Sequence, residues 1–488
     1  MSSYDVKVHD LGKRDDRGKS KSHRVRWVVA GKRFERSFTT KALADKFRND
    51  LLRAQKDGTP FDEATGLPES LLRERNRTTW YEHARAYAEM KWPGLAAKSR
   101  RSVVEALVTV TVALVNETRG QRDDEVLRRA LYEWALNPNA WQREAPADQA
   151  EAIAWLARAS RPVVELAKPD VVRAALTACS RRIDGRPAAA TTVQRKRAVL
   201  YNALRFAVER DLLDYNPLDK VQWTAPRVAE TVDRRVVANT AQVEAILAAL
   251  PSVNREGGRY VAFFGCMYYG GMRPAEAANL RRADLFLPAS GWGRVILTET
   301  NPYAGSGWTD DGDGRERRGL KHRGENETRT VPIPPELVKL LRDHIAEYGV
   351  TADGRLFRGR NEGHLASSTY DRMWKDARVK GLSSELVLSP LAGRPYDLRH
   401  AAVSLWLNGG VPATEVARRA GHSVAVLLRV YASCIDGEEE TVNAKIQRAL
   451  AAGRGRGRIG GNVGRAGATP REKRQVKRIV RRPGGDAL

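Results

Sequence analysis

The hydrophobic pattern at the start of the chain changes from a period of two residues to a period of nearly four. Apolar side chains alternate with polar ones on both sides of the turn Ala30-Gly31: Val25, Trp27, Val29, Phe34 and Phe38. Such alternation predicts a β-hairpin. Thr39 or Thr40 can cap the helix that follows, whose apolar stripe is Leu43, Phe47 and Leu51. We therefore predict a small unit of two strands and a helix over residues 1–57.

Basic residues accompany this predicted hairpin. Lys32, Arg33 and Arg36 lie on it or beside it. Two basic strands with a helix can place a β-ribbon in a DNA groove. The alternative is a small α+β domain whose charges are merely solvated, and this segment alone does not decide between the two.

The middle of the chain has helical periodicity. A polar stretch with Pro and Gly predicts a linker at 58–77, and residues 78–218 then predict an all-helical domain. In its last helix, which Thr191 or Thr192 can cap, the apolar face is Leu200, Ala203, Leu204, Ala207 and Val208. Its other positions carry Arg195, Lys196, Arg197 and Arg205. These cations either lie against DNA or are solvated, and Asn216-Pro217 ends the segment.

The remainder divides into a linker, a larger domain and a tail. Residues 219–237 predict a second linker, and residues 238–450 an α/β-type unit. The Gly/Arg-rich stretch 451–488 cannot bury a core, so we expect it to be disordered and to act as an accessory nucleic-acid contact. The length of 488 residues fits about three domains.

Positive charge is the strongest feature of the composition. The chain has 84 Lys and Arg against 59 Asp and Glu, a formal net charge of +25. Such an excess favours a polyanionic partner, because cations that neutralise phosphates release counterions. The alternative is a GC-rich genome, whose codons favour arginine. An anionic membrane surface fits less well, because no basic amphipathic segment has a large apolar face.

Cysteine usage and apolar runs restrict the cellular setting. Cys179, Cys266 and Cys434 are scattered, which argues against a disulfide framework and against a zinc cluster. No stretch approaches the roughly 20 apolar residues that a membrane span needs, and the N-terminus lacks a secretory signal. We therefore expect a bacterial cytoplasmic, nucleoid-associated protein with no membrane partner.

The first candidate for chemistry is the sequence YYGGMRPAEAANL. Gly270-Gly271 breaks a buried helix predicted at 260–269, and Pro274 suits the first position of the next helix. Arg273 therefore lies at a helix start, where unpaired N–H groups and the helix dipole favour a phosphate. Glu276 lies on the same side and can hold Arg273 in place. The alternative is an Arg–Glu pair with a purely structural role.

The second candidate follows a long loop. The segments GRVILTE and TRTVPIP predict two strands that pair as a hairpin, and the Gly- and Asp-rich loop between them is expected to be mobile. Lys321 follows this loop and is the only lysine between Arg282 and Lys339. A lysine can release a proton near neutral pH when neighbouring cations lower its pKa, whereas arginine effectively cannot. Lys321 is thus the candidate general acid, and a solvated loop lysine is the alternative.

The third candidate combines RPYDLRHAAVSLWLNGG with EVARRAGHSVAVLLRVYASC. Arg399 and His400 lie on a predicted helix whose apolar face includes Leu398, Val403, Leu405 and Leu407. Gly421 can end a further helix, and the next begins at His422-Ser423. Tyr431 follows nine residues after His422, at the end of an apolar helical stretch. Taken singly, Tyr431 can be a core tyrosine and His422 a capping histidine.

Together these elements resemble the catalytic domain of the tyrosine recombinase (phage integrase) family. The family pattern is an Arg, a hairpin Lys, H-x-x-R, a His or Trp after Gly, and a Tyr about nine residues later. Here GMRPAEAANL, Lys321, YDLRH, GHS and Tyr431 follow in that order. The resemblance covers 238–450 and extends more weakly to 78–218, which is similar to the DNA-clamping, SAM-like core-binding domain. The N-terminal unit looks like an arm-site-binding domain, the least specific match.

The fold that the resemblance implies is multidomain and mainly α. It consists of a small β-hairpin-plus-helix domain, an all-helical core-binding domain, and an α+β catalytic domain in which helices surround a small antiparallel sheet. A disordered basic tail completes the expected arrangement.

One position departs from the family pattern. Tyr396 stands where H-x-x-R has its histidine. A tyrosine hydroxyl can donate a hydrogen bond to a phosphate oxygen, but it is a poor proton shuttle at neutral pH. If the residue at that position normally transfers a proton, another residue must do so in this chain. His400, directly after the arginine, is a less favoured substitute.

The resemblance also implies roles for the matching residues. Arg273, Arg399 and His422 are expected to bind the non-bridging oxygens of the scissile phosphate. Tyr431 attacks and becomes joined to a DNA 3′-phosphate, and Lys321 protonates the departing 5′-oxygen. A 5′-hydroxyl from a partner duplex then reverses the chemistry. Because the covalent bond conserves energy, the family mechanism implies no ATP, no metal and no other cofactor.

By the same resemblance, four protomers assemble on two double-stranded DNA attachment sites. The helical segment and the catalytic domain form a clamp, and a C-terminal helix at about 439–450 docks on a neighbour. The N-terminal unit favours a phage or mobile-element integrase, for which a directionality factor or a host DNA-bending protein is an allowed partner. The alternatives are a type IB topoisomerase and a DNA-binding factor that has lost catalysis.

Overall fold

The computed structural model describes residues 1–14, 22–38, 40–116, 122–320, 324, 327–431, 434, 443–444, 446–448 and 450–451. The chain separates into two compact units, Met1–Cys434 and Ile435–Leu488, and the elements below belong to the first. The predicted C-terminal helix lies only partly within the described residues, and the predicted tail lies almost wholly outside them. Among the described helices, none combines the length and apolar character required to cross a membrane.

The N-terminal segment contains the predicted hairpin and helix together with further strands. Its elements are the strands Ser2–Ser3, Val6–Val8, Gly12–Arg14, Ser22–Val29 and Lys32–Phe38 and the helix Lys41–Lys56. Ala30 (φ 44°) and Gly31 (φ 77°) form the hairpin turn, and two residues of positive φ match the right-handed twist of the strands. Thr40 caps the helix by accepting from the backbone N–H of Leu43 at 3.3 Å. Apart from Leu43, the predicted apolar side chains form the core, with Trp27 and Phe47 in edge contact at 5.5 Å.

One of the three basic hairpin residues contacts the helical segment. Nη1 of Arg36 forms a 2.9 Å ion pair with Asp211, and its guanidinium lies 4.9 Å from the ring centroid of Phe47. Lys32 and Arg33 are exposed. Arg36 therefore joins two segments of the chain, whereas its two neighbours lie on the surface.

The stretch predicted as a linker at 58–77 contains ordered elements. The strand Phe61–Asp62 pairs with Ser2–Ser3, and a helix spans Glu69–Arg77. Phe61 and Leu67 are buried in the N-terminal core. These two apolar side chains are the reason that the polar, Pro/Gly-bearing stretch packs against the unit before it.

The described residues 78–116 and 122–218 are mainly helical, as predicted. The helices are Trp80–Lys91, Ala97–Ala113, Asp124–Ala130, Ala147–Ala159, Pro169–Ala178 and Ala190–Glu209, with a π-helical turn at Leu131–Ala135. The predicted apolar face of the last helix is buried at Leu200, Ala203, Leu204 and Ala207.

Two details of this last helix differ from the prediction. The N-cap is Ala189, so Thr191 and Thr192 lie inside the first turn and do not cap it. Lys196 was placed with the outward cations, yet it is 1% exposed and donates from Nζ to the carbonyl of Arg181 at 2.7 Å. The long apolar stem of Lys196 is buried, and its ammonium group reaches that carbonyl.

The segment after residue 237 packs helices around a small antiparallel sheet. The helices are Thr240–Val253, Val261–Tyr268, Pro274–Ala278, Pro335–Tyr348, Ser367–Gly381, Ser384–Leu388, Asp397–Asn408, Ala413–Ala420 and Val424–Tyr431. The strands Arg329–Ile333, Gly293–Leu297 and Leu285–Phe286 lie side by side in that order. The predicted pairing of the first two is confirmed, with Arg329 opposite Leu297. The chain is thus mainly helical with small antiparallel sheets.

The loop predicted to be mobile instead packs on the helical segment. Trp308, in the loop 301–316 (the Trp308 loop), is 7% exposed and joins the helical core. Its ring centroid lies 4.9 Å from that of Tyr132. Arg100 donates to the carbonyl of Trp308 at 3.2 Å and to both carboxylate oxygens of Asp310 at 2.6 and 3.0 Å. One tryptophan therefore anchors a loop whose Gly and Asp content suggested mobility.

Candidate active site

Arg273 lies at the start of a short helix, as its sequence context predicts. Gly271 has a φ of 57° and turns the chain, and Pro274 begins the helix Pro274–Ala278 with Arg273 as its N-cap. The carboxylate of Glu276 accepts from the backbone N–H of Arg273 at 2.8 Å and from its Nη1 at 2.7 Å. Glu276 thus orients the guanidinium.

A second arginine, which lies in the predicted strand TRTVPIP and was given no role there, holds the same glutamate. Arg329 donates from Nη1 and Nη2 to the two carboxylate oxygens of Glu276, at 3.0 and 2.6 Å. Burial alone would raise the pKa of Glu276, but Arg329, followed by Arg273 and Arg399, lowers it to about 2. The carboxylate is therefore ionised beneath the site.

The position of Arg329 in its strand indicates that this arginine needs a buried partner. Residues at every second position of a strand share a face, so Arg329 shares one with Val331 and Ile333, both fully buried. A charge on the core face must be paired, because an unpaired buried charge is strongly unfavourable. The alternation R-T-V-P-I thus predicts a buried carboxylate partner for Arg329.

Arg399 is buried at the start of the helix Asp397–Asn408. Its side chain donates to the carbonyl oxygens of Gly271 and Ala420. It thereby bridges the turn before Arg273 and the end of the helix Ala413–Ala420. Leu398 and Val403 are buried as predicted, whereas Leu405 is 46% exposed, a correction to the predicted apolar face.

The turn at Gly421 brings these segments together. Gly421 ends the helix in the left-handed region, with a φ of 66°, as predicted. Nη2 of Arg273 donates to its carbonyl at 3.0 Å. A side chain here would also collide with the guanidinium of Arg329. Close packing and positive φ both require glycine, and the two candidate arginines, Arg273 and Arg399, meet at this turn.

His422 follows this turn and lies between cations. Its Nε2 is 2.9 Å from Nη2 of Arg399; because arginine only donates, Nε2 accepts and Nδ1 carries the proton. Burial, and then Arg399 and the two other arginines, lowers the pKa of His422 to about 3. The ring is therefore neutral and acts as a donor through Nδ1.

Tyr431 ends the next helix, Val424–Tyr431, with its hydroxyl inside the protein. It is 1% exposed, and its ring centroid lies 6.2 Å from that of His422. Its Oη is 3.0 Å from Nδ1 of His400. Burial raises the pKa of the phenol above its ordinary value, although Arg399 opposes the shift. The tyrosine is thus protonated and hydrogen-bonded to a histidine.

Tyr396 faces Arg273 and His400. Burial lowers the pKa of Arg273, but Glu276 and, less strongly, the hydroxyl of Tyr396 raise it above its ordinary value. The ring of Tyr396 packs against His400 at 5.1 Å in a T-shaped arrangement. The O–H of Tyr396 can donate to an acceptor bound beside Arg273.

The cluster can bind an anion next to a phenol. Within the described parts of the chain, Nε of Arg399 and Nδ1 of His422 are buried without hydrogen-bond partners, and buried donors favour an acceptor, above all a charged one. Lys321, the predicted general acid, lies outside the described residues. No cluster of three or more His, Cys, Asp or Glu able to hold a metal ion occurs among the residues that the structure describes.

Comparisons with known proteins match the segment that carries this cluster. Residues 237–436 match the model of the phage integrase family. Over 252 residues the chain is 24% identical to the tyrosine recombinase XerC of Nitrobacter winogradskyi, covering 51% of this chain and 68% of that protein. Among solved structures, the Tn1549 transposon integrase in complex with transposon right end DNA has a TM-score of 0.46 at 17% identity, covering 62% and 94% of the two chains. The XerH site-specific recombinase bound to a palindromic difH substrate has a TM-score of 0.42 at 13% identity, covering 72% and 97%.

Proposed function

We propose that this chain, whose residues 237–436 match the phage integrase family model, is a tyrosine-type site-specific DNA recombinase of a phage or mobile element. It cuts and rejoins double-stranded DNA at attachment sites through a covalent 3′-phosphotyrosine. The observation that carries the proposal is the convergence of two arginines, a histidine and a buried phenol from separate segments around the turn at Gly421.

The cations of the cluster bind the scissile phosphate. Arg273 and Arg399 neutralise its non-bridging oxygens, and His422 donates from Nδ1. Such groups stabilise the charge of the pentacoordinate transition state because they are held in place before the reaction. Tyr396 donates its hydroxyl to the same phosphate, and Glu276 keeps Arg273 oriented. Glu276 is itself held by its bidentate pair with Arg329, which agrees with a role in orienting Arg273.

The covalent step joins Tyr431 to the DNA. Its phenolic oxygen forms a bond to phosphorus as the bond from phosphorus to the 5′-oxygen breaks. Lys321 protonates that departing oxygen. Rejoining reverses these transfers with a 5′-hydroxyl from a partner duplex, so no bond energy is lost between cleavage and ligation.

Four protomers act together on two attachment sites. The helical domain at 78–218 and the catalytic domain at 238–450 clamp each site, and the unit at 1–57 binds a separate arm sequence. The net charge of +25 supports a long DNA contact. A directionality factor or a host DNA-bending protein is a further partner.

The direct test traps the covalent intermediate. The full-length chain and Tyr431→Phe are incubated with a pool of random-sequence duplexes, nicked so that the short fragment with the 5′-hydroxyl diffuses away after cleavage. We expect the parent chain to form a DNA adduct that survives a denaturing gel, with DNA mapped by mass to the Tyr431 peptide. Tyr431→Phe should bind the same DNA without an adduct. Tyr4→Phe, at a 72% exposed position, serves as the control and should react like the parent.

Other outcomes favour other functions. Relaxation of a supercoiled plasmid that lacks paired sites would favour a type IB topoisomerase. DNA binding without an adduct from the parent chain would favour a binding factor without catalysis. An adduct mapped to another residue would contradict the role of Tyr431.

A second test addresses the general acid. Lys321→Ala should cleave slowly, because the 5′-oxygen then departs without a proton. A 5′-thio leaving group departs without protonation, so it should restore cleavage by this variant. Failure of the thio substrate to restore the rate would contradict the role of Lys321.

A further inference from the structure

The hydroxyl of Tyr431 has one hydrogen-bond partner among the described residues, and that partner is His400. The distance from Nδ1 to Oη is 3.0 Å, and the two ring centroids are 5.6 Å apart. Tyr431 is 1% exposed, so bulk water has little access to the phenol. Building on the proposed function, we propose that His400 is the general base that accepts the phenolic proton when Tyr431 attacks the phosphate.

The surroundings of His400 keep its ring neutral and able to accept. Burial lowers the pKa of His400 to about 4; Asp397 opposes this shift, whereas Arg394 and Arg399 add to it. A neutral imidazole has one acceptor nitrogen and one N–H. We assign Nδ1 as the acceptor and Nε2 as the protonated nitrogen, because the phenol is the stronger donor of the pair and the imidazole the stronger acceptor.

The proton moves as the new bond forms. The phenolic oxygen becomes acidic when it bonds to phosphorus, so its proton passes to Nδ1 of His400 in the same step. The anionic phosphate lies near the imidazolium and stabilises it, because a nearby opposite charge raises the pKa of a histidine. The bond to the 5′-oxygen breaks, and that oxygen takes its proton from Lys321. During rejoining, His400 returns the proton to the phenol of Tyr431.

The two other aromatic groups that approach the phenol or His400 among the described residues are less suited to accept the proton. The acceptor nitrogen of His422 takes an N–H of Arg399 at 2.9 Å, so this ring can donate but not accept. The hydroxyl of Tyr396 is a poor proton acceptor at neutral pH compared with a neutral imidazole. His400 is therefore the group in position to act as a base, although H-x-x-R has lost its histidine in this chain.

The test separates a base from a hydrogen-bonding group. Glutamine at position 400 retains an acceptor oxygen but has no basic nitrogen. Using a nicked duplex that the parent chain cleaves, single-turnover cleavage and DNA affinity are measured for His400→Gln and His400→Ala. We expect both variants to bind DNA like the parent and to cleave about 100-fold or more slowly, a typical loss for a general base. Imidazole added to the buffer should accelerate His400→Ala in proportion to its concentration. His364→Gln, away from the cluster, should cleave like the parent.

Each outcome bears on the proposal. A parental cleavage rate for His400→Gln would overturn the role of His400 while leaving the proposed function intact, since the parent chain cleaves. A slow His400→Ala that imidazole does not accelerate would assign His400 a positioning role only and would also overturn the proposal. If His400→Ala fails to fold, as judged by lost DNA binding, the comparison of His400→Gln with the parent decides. A parent chain that forms no adduct with any duplex would refute the proposed function and this inference together.

Discussion

Glu276 and Glu415 are each paired with two arginines, the first beneath the candidate active site and the second on a surface helix. Glu276 forms a bidentate pair with Arg329 at 3.0 and 2.6 Å, and Glu415 forms one with Arg418 at 2.7 and 2.7 Å. In each case the arginines lower the pKa of the glutamate to about 2. The two differ in burial, because the side chain of Glu276 is 1% exposed and that of Glu415 is 31% exposed.

The difference teaches that burial, rather than hydrogen-bond geometry, decides what such a pair does. In contact with water, an ion pair contributes roughly 0–1 kcal/mol, because solvent screens it. In the interior, loss of one partner leaves an uncompensated charge. Glu276 therefore fixes Arg273 and Arg329 in one arrangement before any ligand binds. Glu415 does not fix Arg418 and Arg419 to the same extent.

The largest effect is expected for Glu276→Gln. We expect the free energy of unfolding to fall by about 3–5 kcal/mol, because Arg329 becomes a buried charge without a carboxylate. Urea denaturation followed by tryptophan fluorescence measures this change. A loss below about 1 kcal/mol would mean that burial does not give the pair its importance.

The pH dependence of the same variant provides an independent check. The pKa of Glu276 is lowered from 4.5 to about 2 in the folded chain, so its stabilisation is complete above pH 4.5 and is lost as the pH falls towards 2. The lowered pKa corresponds to about 3 kcal/mol. The stability difference between the parent and Glu276→Gln should therefore shrink below pH 4.5. A difference that stays constant from pH 7 to 3.5 would contradict the ionised state of Glu276.

Trp308→Ala should have the next largest effect. The ion pair of the Trp308 loop joins a buried arginine, Arg100 (6% exposed), to a carboxylate that stays in water, Asp310 (75% exposed). We expect the buried indole of Trp308 to provide most of the attachment. Removing it should cost about 3 kcal/mol through lost burial and the cavity that remains. Urea denaturation measures the loss, and faster proteolysis within residues 301–316 should accompany it. Trp292→Ala, at a 59% exposed position, is the matched control and should change stability by less than about 0.5 kcal/mol.

The local features of the site could be predicted from the sequence. Pro274 at a helix start, Gly421 at a helix end and the apolar period before Tyr431 all depend on neighbouring residues, and the structure has each of them. Motif order then grouped Arg273 and Arg399, although 126 positions separate them. Capping, chain-breaking and periodicity are short-range effects, so a single sequence suffices to predict them.

The missed features depend on contacts between distant segments. Arg329 reaches Glu276 across 53 positions, and Trp308 contacts Tyr132 across 176 positions. Neither partner can be read from nearby residues. Arg329 places a charge at an inward strand position, and Trp308 places a large apolar side chain within a polar loop. Both are conflicts between a residue and its local pattern, and such conflicts identify positions where a distant partner must exist.

The smallest effect is expected for Glu415→Gln. Glu415 lies in the first turn of the helix Ala413–Ala420, so its charge also interacts favourably with the helix dipole. Together these surface terms should contribute no more than about 1 kcal/mol, because the side chains of Arg418 and Arg419, 48% and 19% exposed, keep contact with water when the carboxylate is removed. Urea denaturation at 0.1 M and 1 M NaCl checks the origin of the effect, since 1 M salt reduces the Debye length to about 3 Å. The loss from Glu415→Gln should nearly vanish at the higher salt concentration, whereas that from Glu276→Gln should persist. Equal losses at both positions, or equal responses to salt, would remove burial as the property that distinguishes the two glutamates.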